Sequence, residues 1–462
     1  MEMELTRRTL IKMLGAGSLL AALPRAAAAA LRERIFVWHN WSGSQSCIPT
    51  ARVAPANEAD LAATIRGAAA GTIRAVGTGH SFSPLVPTDG TLVSLGNLSG
   101  MIGHDAASMQ SDWRAGTPMS EMGDPLKAAG LALINMSDID YQTLGGACAT
   151  STHGTGVNYG SYSTQITGLR LITAKGEMLD CDQDHHPEIF DAARVSLGSL
   201  GIISRFRLQN RKAFRLHEKQ WVQSTEELLE DMPRLIREND HFELNPLVHA
   251  DVSIATSTNP TDDTYDRPHP GGGDTKNADL MDMVQRYLKN APGFRSSLTD
   301  FIAKHLIDFP EAVGDSYKVL AHVRNVRFFE MEYELPAEAG PACVREILKT
   351  IQDNNIPVWV PLEYRYVKRD DIPLSMFYGR DTCAISVHQY YQMDYHNYFS
   401  VIEPIFWKYE GRPHWGKLHT LNAAQLSKLY PRWKDFLAIR QELDPAGRFL
   451  NAHLRSVFGV RC

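Results

Sequence analysis

Two loops built from glycine and small hydroxyl residues constrain this chain more than any other feature. The first, Val76-Gly77-Thr78-Gly79-His80-Ser81-Phe82-Ser83, directly follows a short strand-like run, Ile73–Val76. The second is Gly145-Gly146-Ala147-Cys148-Ala149-Thr150-Ser151-Thr152-His153-Gly154-Thr155-Gly156. Consecutive backbone N–H groups in such turns form a concave anion site. Glycine lets the main chain approach a pyrophosphate with no Cβ in the way. Ser81, Ser151, Thr152 and Thr155 add hydroxyl donors. Neither loop has the Rossmann or P-loop spacing. Each alone also reads as a tight turn, and His80 as a histidine bonded to nearby backbone. Together, inside one region of mixed short elements, they read as a phosphate cradle.

The elements around the loops are short. Asn57 caps an Ala-rich helix with Glu58 and Asp60 in its first turn, and Gly71 ends it. Strands follow at 73–76 and 92–95. Thr117 with Pro118 opens a second helix that Gly130 closes. Residues 166–174 and 177–180 flank a Lys175-Gly176 turn as a hairpin, and 201–208 make another strand. Composition shifts near residue 211. Ser224-Thr225-Glu226-Glu227 is a capping box, 257–277 is a long polar loop, 326–335 is a strand and 341–353 a helix. Strands are expected at 356–368 and 382–391, and a helical end from about 418 with Asn422 as a cap. This is α+β, in pieces too irregular for a doubly wound sheet.

Residues 1–30 differ from the rest. Thr6-Arg7-Arg8-Thr9-Leu10-Ile11-Lys12 precedes a short apolar run from Met13 to Leu23, then Pro24, Arg25 and Ala26 to Ala30. A basic start, a short apolar core and small residues make a secretory signal. The paired arginines resemble a twin-arginine signal; the other reading is a mildly basic amphipathic helix. The run is too short to span a membrane. The expectation is export after folding, to the periplasm or beyond, without stable membrane insertion. A net charge of −6 argues against a nucleic-acid partner. The 6 cysteines are widely spaced, with no C-x-x-C pair.

The apolar run Val358–Leu362 continues into Glu363-Tyr364-Arg365-Tyr366. On a strand, residues two apart share a face, so Glu363 and Arg365 stand together. That pair is either structural or functional. Lys417 lies among His414, Trp415 and His419, an odd composition for a solvated face. His388 and Gln389 on the 382–391 strand read as pocket candidates or as satisfied core polar groups. Among 17 histidines no H-E-x-x-H or three-ligand spacing appears, so no metal is expected.

These residues, with Asn40-Trp41-Ser42-Gly43, His414-Trp415-Gly416-Lys417 and Asp444-Pro445…Phe449-Leu450-Asn451, resemble the vanillyl-alcohol-oxidase (PCMH) type of flavoprotein. More narrowly, they resemble its aldonolactone oxidase and alditol oxidase branch. The resemblance implies an FAD-binding domain of two subdomains over 45–212 and an α+β cap carrying the substrate residues over 213–417. It also implies a segment, 418–462, that returns to the FAD domain. FAD would lie against Val76, Gly77, Thr78, Gly79, His80, Ser81 and Phe82, and against Thr143, Gly145, Gly146, Cys148, Ser151, Thr152, His153, Thr155 and Gly156, with Gly201 and Ile202. His80 would carry the flavin covalently. Substrate, a sugar alcohol or sugar lactone, would meet Thr143, Glu363, Arg365, His388, His414 and Lys417.

The implied chemistry is oxidation of a CH–OH group. Glu363 acts as base, Arg365 offers a fork of donors and Lys417 stabilises negative charge. Hydride goes to flavin N5, and oxygen or another acceptor reoxidises the flavin. Two other readings stay open: a non-catalytic periplasmic carbohydrate binder, and a hydrolase, although no G-x-S-x-G elbow is present.

Overall fold

The Asn57 side-chain Oδ1 accepts from the Asp60 amide at 2.9 Å and caps the helix Glu58–Gly67 where the sequence places it. A computed structural model describes residues 36–68, 71–268, 311–324 and 326–461. The signal of 1–30, the later part of the 257–277 loop and Cys462 lie outside the described residues.

Strands β1 (Trp38–His39) and β2 (Ser46–Cys47) make a small hairpin. A parallel sheet follows in the order β3 (Ala51–Val53), β5 (Thr91–Ser94), β4 (Ile73–Val76). An antiparallel sheet contains β6 (Met101–Asp105), β7 (Gln110–Arg114), β9 (Ile166–Ile172), β10 (Met178–Cys181) and β11 (Ile202–Gln209), in the order β10-β9-β11-β7-β6. Short β8 (Leu131–Ala132) pairs with β12 (Arg211–Lys212).

Among the described residues, the second half is built on one antiparallel sheet of 8 strands. Its members are β13 (Arg215–Ser224), β14 (His241–Pro246), β15 (Val252–Pro260), β16 (Ala312–Asp315), β17 (Phe328–Pro336), β18 (Glu363–Val367), β19 (Thr382–Tyr390) and β20 (Arg412–Pro413). Their order is β16-β13-β15-β14-β18-β19-β17-β20. One apolar cluster runs through both halves, from Leu61 and Trp113 to Ile385 and Phe458.

Several local expectations are corrected. Thr117 starts no helix: its hydroxyl donates back to Arg114 O at 2.6 Å, and a 3₁₀ turn Met119–Glu121 precedes the helix Gly123–Ala128. The expected strand 356–368 shrinks to β18, because Pro357 and Pro361 cannot donate to a ladder. Residues 257–260 belong to β15, so the polar loop starts at Thr261. The Ser224 hydroxyl caps the Glu227 amide, but Glu227 turns to Gln223 and leaves half a box. Asn422 and Gln425 form the complete one.

The C-terminal segment returns to the first loop. Ile73 N–H donates to Arg448 O at 2.7 Å, and Arg74 Nη1 to Phe449 O at 2.6 Å. Asn451 Nδ2 reaches the carbonyls of Pro84 and Pro87.

Candidate active site

The first glycine loop leaves β4 and is gripped from both sides. Trp41 N–H donates to Gly79 O at 2.8 Å, and Asn40 Nδ2 to Ser81 O at 3.0 Å. From the C-terminal side, Phe82 N–H donates to Gly416 O at 2.7 Å, and Ser83 Oγ to Trp415 O at 2.6 Å. Among the described residues, the amides of Thr78, Gly79, His80 and Ser81 donate to no protein oxygen. Such a run of free donors is what a diphosphate needs. A Cβ on Gly77 would lie 2.2 Å from Thr143 Oγ1, so the loop closes on the start of the second glycine segment. Gly79 has φ +76°, a conformation glycine adopts without strain. This cradle fits FAD.

The second segment is partly helical, Leu144–Ala149, and most of its side chains face inward. Cys148 is buried in the apolar core, and burial pushes its thiol pKa up. Ser151 donates to Ser161 Oγ at 2.9 Å, and Thr155 to Phe242 O at 2.6 Å. Gly201 is held tight, since a Cβ there would meet Ile172 O at 2.5 Å, and Ile202 is buried. From the sites of Cys148, Ser151 and Thr155, therefore, the main chain is what remains to touch a cofactor.

A cleft of about 510 Å³ opens beside the loop. It gathers His80, Ser81, Phe82, His414 and Lys417, all expected, with Arg324 and Glu330, which were not. His80 stacks on Trp41 at 5.4 Å and on Tyr141 at 6.1 Å. Burial, helped by Lys417, holds its pKa down to about 4.

The cap sheet supplies the opposite wall. Glu363 and Arg365 do share a face and form a direct ion pair. Ladder register carries that face across the sheet: Glu363 and Glu332 flank Ser386, while Arg365 and Glu334 flank Ala384. Glu330 stands opposite His388. Glu330, Glu332 and Glu334 are thus three buried carboxyls on one face, at 3%, 2% and 0% exposure.

Sequence reading missed these three acids. Their alternation in Phe329-Glu330-Met331-Glu332-Tyr333-Glu334-Leu335 was the available signal. An acid at every second position of a strand usually marks a solvated face. Here Met331, Tyr333 and Leu335 bury the other face, and the acids face the first domain.

Lys417 neutralises this patch. It pairs with Glu330 directly and lies 3.4 Å from Glu332. Burial pushes the Glu330 pKa up, but Lys417 and His388 outweigh it and bring it to about 2. Glu332 is likewise well below the usual range despite burial, through Lys417 and His153. Glu334 goes the other way: burial and the neighbouring Glu332 push it well up, and neither oxygen has a hydrogen-bond partner.

His153, expected at the cofactor, turns to the cap instead. Its Nε2 lies 2.8 Å from Glu332 Oε1, and its Nδ1 2.8 Å from Gly154 O. His414 Nδ1 accepts from the Gly416 amide at 3.0 Å, and burial drops its pKa to about 3. His388 points Nδ1 at Pro361 O and Nε2 at Glu330. Two sets, His153/Glu332/His414 and Glu330/Glu363/His388, bring ligand atoms within 4.8 Å of one another. Lys417 lies between the Glu330 of one set and the Glu332 of the other. Cys47, Cys148, Cys181, Cys343 and Cys383 are free thiols.

The model of the D-arabinono-1,4-lactone oxidase family matches residues 206–457, and that of an FAD-binding domain matches 49–182. The chain belongs to the D-arabinono-1,4-lactone oxidase family. Like others carrying these two domains, it is an FAD-dependent oxidoreductase. It is 38% identical to the L-gulono-1,4-lactone dehydrogenase of Mycobacterium tuberculosis over 433 residues, covering 92% of this chain and 99% of that one. It is 28% identical to the L-gulonolactone oxidase of Bos taurus, with 91% and 98% covered. The alditol oxidase of Streptomyces sp. is also 28% identical, with 90% and 98% covered. In fold, the family member described here superposes on cholesterol oxidase from B. sterolicum with a TM-score of 0.76 at 15% identity, over 91% of this chain and 96% of that one. The PCMH-type fold is thereby confirmed. No helix among the described residues is long and apolar enough to cross a membrane.

Proposed function

We propose that this flavoenzyme oxidises a secondary alcohol of an aldono-1,4-lactone or an alditol. The observation that carries this reading is a cleft lined by the free-amide loop and the half-buried Lys417, with the Glu363–Arg365 pair next to it: Arg324 of the cleft lies 3.8 Å from Glu363. Bound FAD supplies the two-electron acceptor that takes hydride from the reacting carbon. The chain's own residues do the rest. Arg365, held by Glu363, offers its planar fork to substrate oxygens. Glu363 accepts the hydroxyl proton as the carbonyl forms. Lys417 keeps its charge against burial because Glu330 and Glu332 raise its pKa, and it stabilises the developing alkoxide.

His80 is the attachment point for a covalent flavin in this reading. Its ring is fixed by Trp41 and Tyr141 and is unprotonated at neutral pH, so a nitrogen lone pair is available. Residues 1–30 direct export by the twin-arginine route; Arg7→Lys with Arg8→Lys then retains the protein in the cytoplasm in a fractionation assay.

One experiment tests the assignment. Purified protein is expected to be yellow, to keep its colour in an acid pellet, and to bleach anaerobically with an aldono-1,4-lactone or alditol. Folded protein that no such compound bleaches overturns the substrate reading. A yellow supernatant over a white pellet overturns only the covalent link. Hydrogen peroxide released on readmitting air identifies oxygen as the acceptor, and its absence points to another one.

A further inference from the structure

Behind Arg365 lies a second, open pocket on the same face of the cap sheet. Its floor comes from strands that play no part in the site above: Glu218 of β13, Glu243 of β14, and Thr256 and Thr258 of β15. Thr256 stands opposite Glu243 in the ladder, and Thr258 links to Glu218 at 3.5 Å. Asp138 and His322 close it from the loops, 2.8 Å apart. Arg365 lines it too, and the Asp138–Arg324 pair, 2.8 Å apart, stands between it and the first cleft, which Arg324 lines.

In its lining, the hydroxyl of Thr256, at 4% exposure, and Nε of Arg365, at 6%, have no hydrogen bond; Nδ1 of buried His241 also has none, but lies 3.4 Å from Asp240 Oδ2. A buried donor or acceptor left unmade is costly, so such atoms mark where something else bonds. The charges nearly cancel: Asp138 and Glu218 face His322, Arg324 lies 2.8 Å from Asp138, and Glu243 faces Arg365. A charged ligand would find no counter-ion. A neutral chain of hydroxyls finds carboxylate acceptors, threonine hydroxyls and a guanidinium donor.

We infer that this cavity is a subsite for the hydroxylated tail of the substrate, the carbons beyond the lactone ring or the reacting end of the polyol. The inference rests on the substrate reading above and makes it narrower: substrates with two or more hydroxylated carbons past the ring are preferred. Thr256 is then a specificity residue that touches the tail and takes no part in the chemistry.

The test compares pentono-, hexono- and heptono-1,4-lactones by anaerobic flavin reduction with the holoenzyme, its Thr256→Val variant and its Thr256→Leu variant. Thr256→Val removes a hydroxyl that bonds to nothing inside the protein, so folding is unaffected. The wild type is expected to favour the heptono- over the pentono-lactone by roughly tenfold or more in kcat/KM. Thr256→Val should erase most of that preference and leave the pentono-lactone within twofold. Thr256→Leu, which fills the space, should do so more completely. A flat chain-length profile in the wild type, or an equal loss for all three lactones in the variants, overturns the subsite. If none of the lactones reduces the flavin, calorimetric binding of the pentono- and heptono-lactones separates the two claims. Tighter binding of the longer one, lost in Thr256→Val, supports the subsite while the reaction assigned above fails. No length dependence in binding overturns the subsite as well.

Discussion

Glu330 and His388 face each other directly across the β17–β19 ladder, with Glu330 Oε1 3.4 Å from His388 Nε2. Lys417 closes on the same carboxylate from the C-terminal segment. A cap residue is therefore joined to the segment that also grips the first glycine loop through Gly416. Substrate wall and cofactor cradle are one mechanical unit.

Removing that lysine should have two effects. In Lys417→Met, Glu330 and Glu332 remain buried without their cation. Breaking a buried pair in this way costs about 3–5 kcal/mol, read as a fall in Tm by calorimetry. Flavin reduction should slow by about 100-fold or more. Lys417→Arg should recover most of the stability and less of the rate. An unchanged Tm would show that the pair is not what holds the patch.

Arg365 separates orientation from cofactor binding. Arg365→Ala and Arg365→Lys should both retain flavin, measured by absorbance after purification. Both should reduce it about 100-fold more slowly than the wild type, because an ammonium cannot replace a planar fork. Normal reduction in Arg365→Ala would make the Glu363–Arg365 pair structural.

Acid should destabilise the protein early. Burial lowers the folded pKa of His80 and His453 to about 4, and of His414 and His419 to about 3, from about 6.5 for a free histidine. Between about pH 6.5 and 4 the unfolded chain binds protons that the fold refuses, so stability falls as pH drops, by about 1.4 kcal/mol per pH unit per proton. Glu330 acts lower down. Its folded pKa of about 2 is depressed, so its stabilisation is complete above about 4.5 and disappears toward pH 2. Neither ring nitrogen of His419 has a hydrogen bond. His419→Phe should therefore keep or raise stability at pH 7 and flatten the loss between pH 6.5 and 5, seen by urea titration. An unaltered acid slope in that variant would contradict the assignment.

The cradle itself can be probed at Gly77. A Cβ there would lie 2.2 Å from Thr143 Oγ1 and 3.3 Å from its Cβ. Gly77→Ala should lower flavin content several-fold, and adding Thr143→Ala should restore part of it. Full flavin loading in Gly77→Ala alone would mean that the two segments yield freely.

Much of this was legible in the residues alone. Two glycine loops, a Glu-x-Arg strand and a helix cap at Asn57 depend on local chemistry: which residues tolerate close approach, which faces alternate, which side chains bond their own backbone. From these the glycine cradle and the Glu363–Arg365 pair follow; the cap's place in the chain is what the family resemblance implies. The fate of Glu330, Glu332 and Glu334 was not local. An alternating acidic strand has the same pattern whether its polar face meets water or a half-buried lysine 80-odd residues away. Only packing against the first domain and Lys417 made that face interior. The same holds for His153, which a sequence assigns to the cofactor loop and the fold hands to Glu332. Spacing along a chain determines which side chains share a face; what that face meets is decided when distant segments close on it, because burial and charge pairing act through space.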